Sequence, residues 1–92
     1  MTNNTVYKLS LPLEADKPFQ YHVRKGFMDV HVAIQCGLPN LWFQVPVDTK
    51  ETVEVQFIKV GTGWPIEPDY WYLGTIIDGT FVWHYYAKYI ND

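Results

Sequence analysis

Apolar residues in this chain never settle into a helical rhythm. Short β-branched and aromatic runs alternate with turn residues along the whole sequence, with no sustained 3.6-residue period. That pattern predicts an all-β domain, a small antiparallel barrel or sandwich of about six to seven strands. Strands are expected near 5–10, 18–23, 28–36, 41–47, 53–60, 70–77 and 80–88, forming a single domain over residues 5–89. Pro12, Pro18, Pro39, Pro46, Pro65 and Pro68 fall mostly between these runs or at their ends, because proline cannot donate to a sheet ladder.

Three registers follow from matching faces. Around Gly37–Asn40, pairing Cys36 with Leu41 also pairs Ile34 with Phe43, Val32 with Val45 and Val30 with Val47, which places Cys36 on the core face. Across the turn at 48–52, Val47 meets Val53, Val45 meets Val55 and Phe43 meets Phe57, leaving Trp42 opposite Ile58 on the outer face. The third turn, at Asp78-Gly79, pairs Ile76 with Phe81, Gly74 with Trp83 and Tyr72 with Tyr85. Its other face carries Trp71, Leu73, Thr75 and Ile77 against Thr80, Val82, His84 and Tyr86. Both faces are apolar, so the second needs a cover: another layer, a partner subunit or a ligand.

Charge and composition narrow the function. The net charge of −3 argues against a DNA or RNA polymer as partner, since such binding needs a basic field. A small anionic ligand held by local donors is compatible with it. Cys36 is the only cysteine, so neither a disulfide framework nor a cysteine-rich metal site is expected. The polar start Met1–Thr5 lacks the apolar core of a signal peptide, and no apolar run reaches bilayer-spanning length. A soluble protein of a reducing compartment is the expectation. Sixteen aromatic residues (four Trp, seven Tyr, five Phe) exceed what a minimal core needs, and such a surplus collects at interfaces or ligand sites.

The segment with most chemical character is Gly61-Thr62-Gly63-Trp64-Pro65. Its two glycines permit either a tight bend with Trp64 plugging the end of the fold, or converging N–H groups that cradle a phosphate. In the second case Lys59 and Thr62 add polar contacts and Trp64 a stacking face. Arg24-Lys25, at a turn expected to pair Val23 with Met28, is either a solvated turn or a phosphate clamp. In that register His22 faces Asp29, away from His31, and His84 is expected to be buried and hydrogen-bonded opposite Leu73. No nucleophile–base pair, paired carboxylates or metal cluster is evident, so no catalytic residue, metal or cofactor is assigned and a non-enzyme is expected.

Taken in order, Val6-Tyr7-Lys8-Leu9, Asn40-Leu41-Trp42, Gly61-Thr62-Gly63-Trp64-Pro65-Ile66, Tyr72-Leu73-Gly74-Thr75 and Phe81-Val82-Trp83-His84 resemble a family of small bacteriophage proteins formerly of unknown function. The chain is further similar in size and character to the phage anti-CBASS sponges, oligomers that sequester cyclic-nucleotide immune signals without cleaving them. That resemblance implies a phage protein in the cytoplasm of the infected bacterium. It implies a dimer or tetramer binding a cyclic dinucleotide or trinucleotide, with Trp64, Tyr70 and Trp71 stacking on bases and Arg24, Lys25, Lys59 and Thr62 holding phosphates. A protein–protein inhibitor docking through Trp42/Ile58 or the last hairpin, and a minor virion or assembly protein, are the alternatives.

Overall fold

A computed structural model describes residues 3–90, with the first two positions of the polar N-terminal run outside it. Seven strands are formed: β1 (Asn4–Ser10), β2 (Phe19–Arg24), β3 (Met28–Gln35), β4 (Leu38–Pro46), β5 (Thr52–Gly61), β6 (Trp71–Asp78) and β7 (Phe81–Tyr89). They make two antiparallel sheets, β1-β4-β3 and β2-β5-β7-β6. The envelope of 44 × 32 × 17 Å has the thin dimension of two stacked sheets, so the fold is an open sandwich. Among the described residues there is no helix long and apolar enough to cross a membrane.

The core lies where the inner faces meet. Leu41, Phe43 and Val45 of β4 point at Val55 and Phe57 of β5 and at Tyr85 and Ala87 of β7. Phe27, in the turn before β3, closes one end, with its ring edge-on to Phe43 at 6.0 Å and tilted against Trp71 at 6.0 Å.

Strand positions agree with the sequence expectation within a few residues, whereas the pairings differ. The β3–β4 hairpin turns on Cys36-Gly37, whose φ values of 54° and 78° are those of a two-residue type I′ turn. Ile34 therefore pairs with Pro39 and Val32 with Leu41, four residues away from the expected register. Cys36 is exposed in the turn and not in the core. Pro39 is tolerated in this central strand because its carbonyl accepts from Leu11 N, so its hydrogen-less nitrogen points to the same side, beyond the last β1–β4 pair at Ser10.

The expected β4–β5 hairpin does not form. Both edges of β4 are taken by β1 and β3, and β5 lies in the other sheet between β2 and β7. The residues expected to pair side by side, such as Phe43 with Phe57, instead share one core cluster between facing sheets. Trp42 consequently sits on the outer face of its own sheet, 6.1 Å from the His31 ring, and not against Ile58. Likewise β2 pairs with β5 and not with β3, so His22 lies opposite Glu54 with Nε2 3.4 Å from its carboxylate.

In the β6–β7 hairpin, Gly79 and Thr80 form the turn, and Gly79 alone has positive φ (62°), the pattern of type II′. The register moves by two, pairing Ile76 with Trp83 and Gly74 with Tyr85. A bulge between Tyr72 and Gly74 then reverses the strand's facing. Tyr72 joins Tyr86 on the outer face, while Trp71 turns inward to Phe27 and Tyr89.

Candidate ligand-binding site

At the end of the sandwich formed by the 79–80 turn, the inner face of β7 carries two more aromatic residues, Phe81 and Trp83. Trp83 pairs across the sheet with Gly61 at the end of β5 and with Ile76 of β6. The Phe81 ring lies parallel to that of Trp83 at 5.8 Å, tilted by only 11°. Phe81 remains largely exposed, at 61%.

Immediately after β5 the chain makes a tight turn, closed by Trp64 N donating to Gly61 O at 3.1 Å. Gly63 holds φ 87° at the third position, where a type II turn requires positive φ. This geometry folds the Trp64 indole back over Gly61, where an added Cβ would fall 2.9 Å from Trp64 Cε2. Trp64 then meets Trp83 edge-to-face at 5.9 Å. Gly61 is thus needed for space and Gly63 for its backbone conformation. The bend expected from the sequence is present, and the Trp64 N–H is used to close it.

Two polar elements hold the turn. Thr62 Oγ1 lies 2.7 Å from His84 Nε2, and His84 Nδ1 lies 2.9 Å from Thr75 Oγ1, which reaches the Tyr72 hydroxyl at 2.5 Å. Each ring nitrogen of His84 is thus partnered by a threonine hydroxyl, a group that can donate or accept. On the inner side Lys59 Nζ sits 4.4 Å from the Trp83 ring centroid and donates to Leu13 O at 3.0 Å. The cleft so enclosed, about 330 Å³, is lined by Gly61, Thr62, Trp64, Phe81, Val82 and Trp83, with Thr80 at its rim. It offers exposed aromatic faces, and the Lys59 ammonium lies against the ring of Trp83, outside the lining itself.

Of the residues singled out in the sequence, Lys59, Thr62 and Trp64 come together here, and the others do not. Tyr70 lies on the outer face of the larger sheet, where its hydroxyl accepts from Gln56 Nε2 at 2.5 Å and its ring holds Lys88 Nζ at 4.8 Å. Lys88 also binds Glu67 at 2.9 Å, and that hydrogen bond raises its pKa above the ordinary lysine value. Trp71 is packed against Phe27 and Tyr89. Arg24 pairs with Thr52, nine residues from Gly61 along β5, which at about 3.3 Å per residue puts it about 30 Å from the cleft. Its guanidinium lies 5.5 Å from the Tyr7 ring centroid, and Lys25 Nζ is 3.6 Å from Glu51. Phe81 and Trp83 were not expected in the site, because the expected register set Trp83 against Gly74 and left its Gly61 neighbour out of view. Among the described residues no group of three or more His, Cys, Asp or Glu could hold a metal ion.

Residues 2–91 match the family described as a domain of unknown function, DUF7352, and the chain belongs to that family. No curated protein and no solved structure matches it.

Proposed function

We propose that this member of the family is a phage counter-defence protein that binds and sequesters a cyclic oligonucleotide immune signal in the infected cell without cleaving it. The observation that carries the reading is the grouping of exposed Trp64 and Phe81 about Trp83, with Lys59 over the Trp83 ring. Aromatic faces stack on any base, and an ammonium beside them answers a phosphate without adding a basic field. Lys59, Thr62, Trp64, Phe81 and Trp83 form this site, with Thr62 acting through its hold on His84. Arg24, Lys25, Tyr70 and Trp71 are not part of it within one subunit.

The size of the cleft favours sharing. Pockets that enclose a drug-sized ligand run from about 300 to 1,000 Å³, so 330 Å³ suits one nucleotide of a cyclic di- or trinucleotide. Two or more subunits then complete the enclosure, and the exposed Phe81 and Ile77 at the hairpin give them an apolar contact. Sequestration needs affinity and copy number, not turnover.

Incubation with a panel of cyclic di- and trinucleotides, followed by heat denaturation and analysis of the released ligand, tests the reading. Intact ligand is expected back. Trp64→Ala should weaken binding about 5- to 150-fold, the range for loss of one base–aromatic stack. Retention of no member of the panel, or recovery of cleaved ligand, would remove the proposal.

A further inference from the structure

The two sheets do not match in breadth. Three strands face four, and β3 lies against β6 so closely that a Cβ on Gly74 would fall 2.7 Å from Val32 Cβ. With the sheets aligned on that side, the missing strand falls at the other, beyond β1 and above β2. The exposure of β2 agrees. Phe19 shares a face with its partner Phe57, yet Phe57 is fully buried and Phe19 is 45% exposed. Clefts of about 240 and 260 Å³ open along this seam, the first beside Phe19 and Tyr21, the second beside Tyr7 and Arg24.

The edge of β1 that borders the seam has backbone groups with no partner among the described residues. Val47 N donates to Asn3 O and Leu11 N to Pro39 O, which fixes the odd-numbered residues of β1 as those bonded to β4. Asn4, Val6, Lys8 and Ser10 therefore point their N–H and C=O groups outward, spaced to receive a strand.

We propose that this edge accepts an extended segment of another protein as an eighth strand. Its alternate apolar side chains cover Phe19 and Tyr21, and a carboxylate meets Arg24. Shape and charge select this occupant. A second copy pairing through its own β1 would carry an overhanging β2 into the space that the added strand needs. Addition at the β2 edge would enlarge the uncovered shelf instead of filling it. The second cleft is lined by Arg24 and by no acidic residue, the Lys8 ammonium being turned to Gln35 on the outer face, and Arg24 has no carboxylate partner among the described residues. The mode is β-strand addition, with backbone bonds supplying affinity and the shelf supplying specificity. It is independent of the nucleotide cleft at the 79–80 end.

A synthetic library of seven-residue peptides, the length of β1, is passed over the immobilised protein, and the retained peptides are sequenced. Retained sequences should alternate apolar and polar residues and carry Asp or Glu near one end. A retained peptide should slow hydrogen exchange at the Val6 and Lys8 amides. Val6→Pro removes an outward N–H and no β1–β4 bond, so it should weaken binding at least 10-fold in a protein that still unfolds cooperatively. Arg24→Glu should reverse the charge preference, and Trp64→Ala should leave peptide binding unchanged. Failure to retain any alternating peptide, protection confined to β2 amides, or binding undiminished in Val6→Pro would each overturn the proposal. So would a dimer of the unmodified protein that Val6→Pro dissociates, since the edge would then be a self-contact. Should Val6→Pro not fold, the exchange pattern of the unmodified protein decides alone.

Discussion

The two long sides of the sandwich are finished by opposite means. On the β3/β6 side the sheets are brought together by removing a side chain: Gly74 leaves room for Val32, and its cross-strand partner Tyr85 is 2% exposed. On the β1/β2 side the side chains are large, the edges have no strand partner among the described residues, and Tyr7 and Phe19 are 41% and 45% exposed. The exposed Tyr7 and Phe19 contribute less burial than Val32 and Tyr85, so substitutions at those two positions are expected to cost the fold less.

Mutations can break or sharpen that contrast. Phe57→Ala, in the fully buried centre, should cost about 3–5 kcal/mol in urea unfolding, through lost transfer energy and a cavity. On the closed side, alkaline titration comes next. Burial, helped by the charge of Asp78, pushes the Tyr85 hydroxyl up from 10.0 to about 12. The folded state keeps that proton where the unfolded state loses it, so the resulting stability is complete below pH 10 and disappears as pH rises towards 12. Two pKa units correspond to about 2.7 kcal/mol, and Tyr85→Phe should flatten the decline relative to the unmodified protein by about that much. Gly74→Ala should cost about 1–3 kcal/mol by overpacking against Val32. On the open side, Phe19→Ala should change stability by about 1 kcal/mol or less. Equal losses at Gly74 and Phe19 would show that the two sides are not built differently.

Strand positions were legible because alternation and turn residues are local signals. Registers were not, because a slip by an even number of residues keeps every side chain on its face. Ile34 satisfies the pattern equally opposite Phe43 or Pro39, and only the Cys36-Gly37 turn decides. Alternation also cannot distinguish residues beside one another in a sheet from residues facing across a core, which is why Phe43 and Phe57 suggested a hairpin. The bulge after Tyr72 escapes detection in one sequence, since nothing in Tyr72-Leu73-Gly74 marks it apart from the glycine. In the site, the glycine-bracketed turn exposed Trp64, Thr62 and Lys59 to view because they are close along the chain. Trp83 became visible only through the β5–β7 register, and Arg24-Lys25 drew notice by adjacency of charge, which says nothing of the length of β5 between them and the cleft.

The packing of Trp64 on Gly61 has an optical consequence. Two indoles held edge-to-face at 5.9 Å couple their transition dipoles, and the stacked Phe81 and the Lys59 ammonium perturb one of the pair. Circular dichroism and fluorescence of the native protein should therefore carry a signature of this one end of the sandwich. A molecule entering the cleft has to alter that signature, so occupancy can be followed without a label.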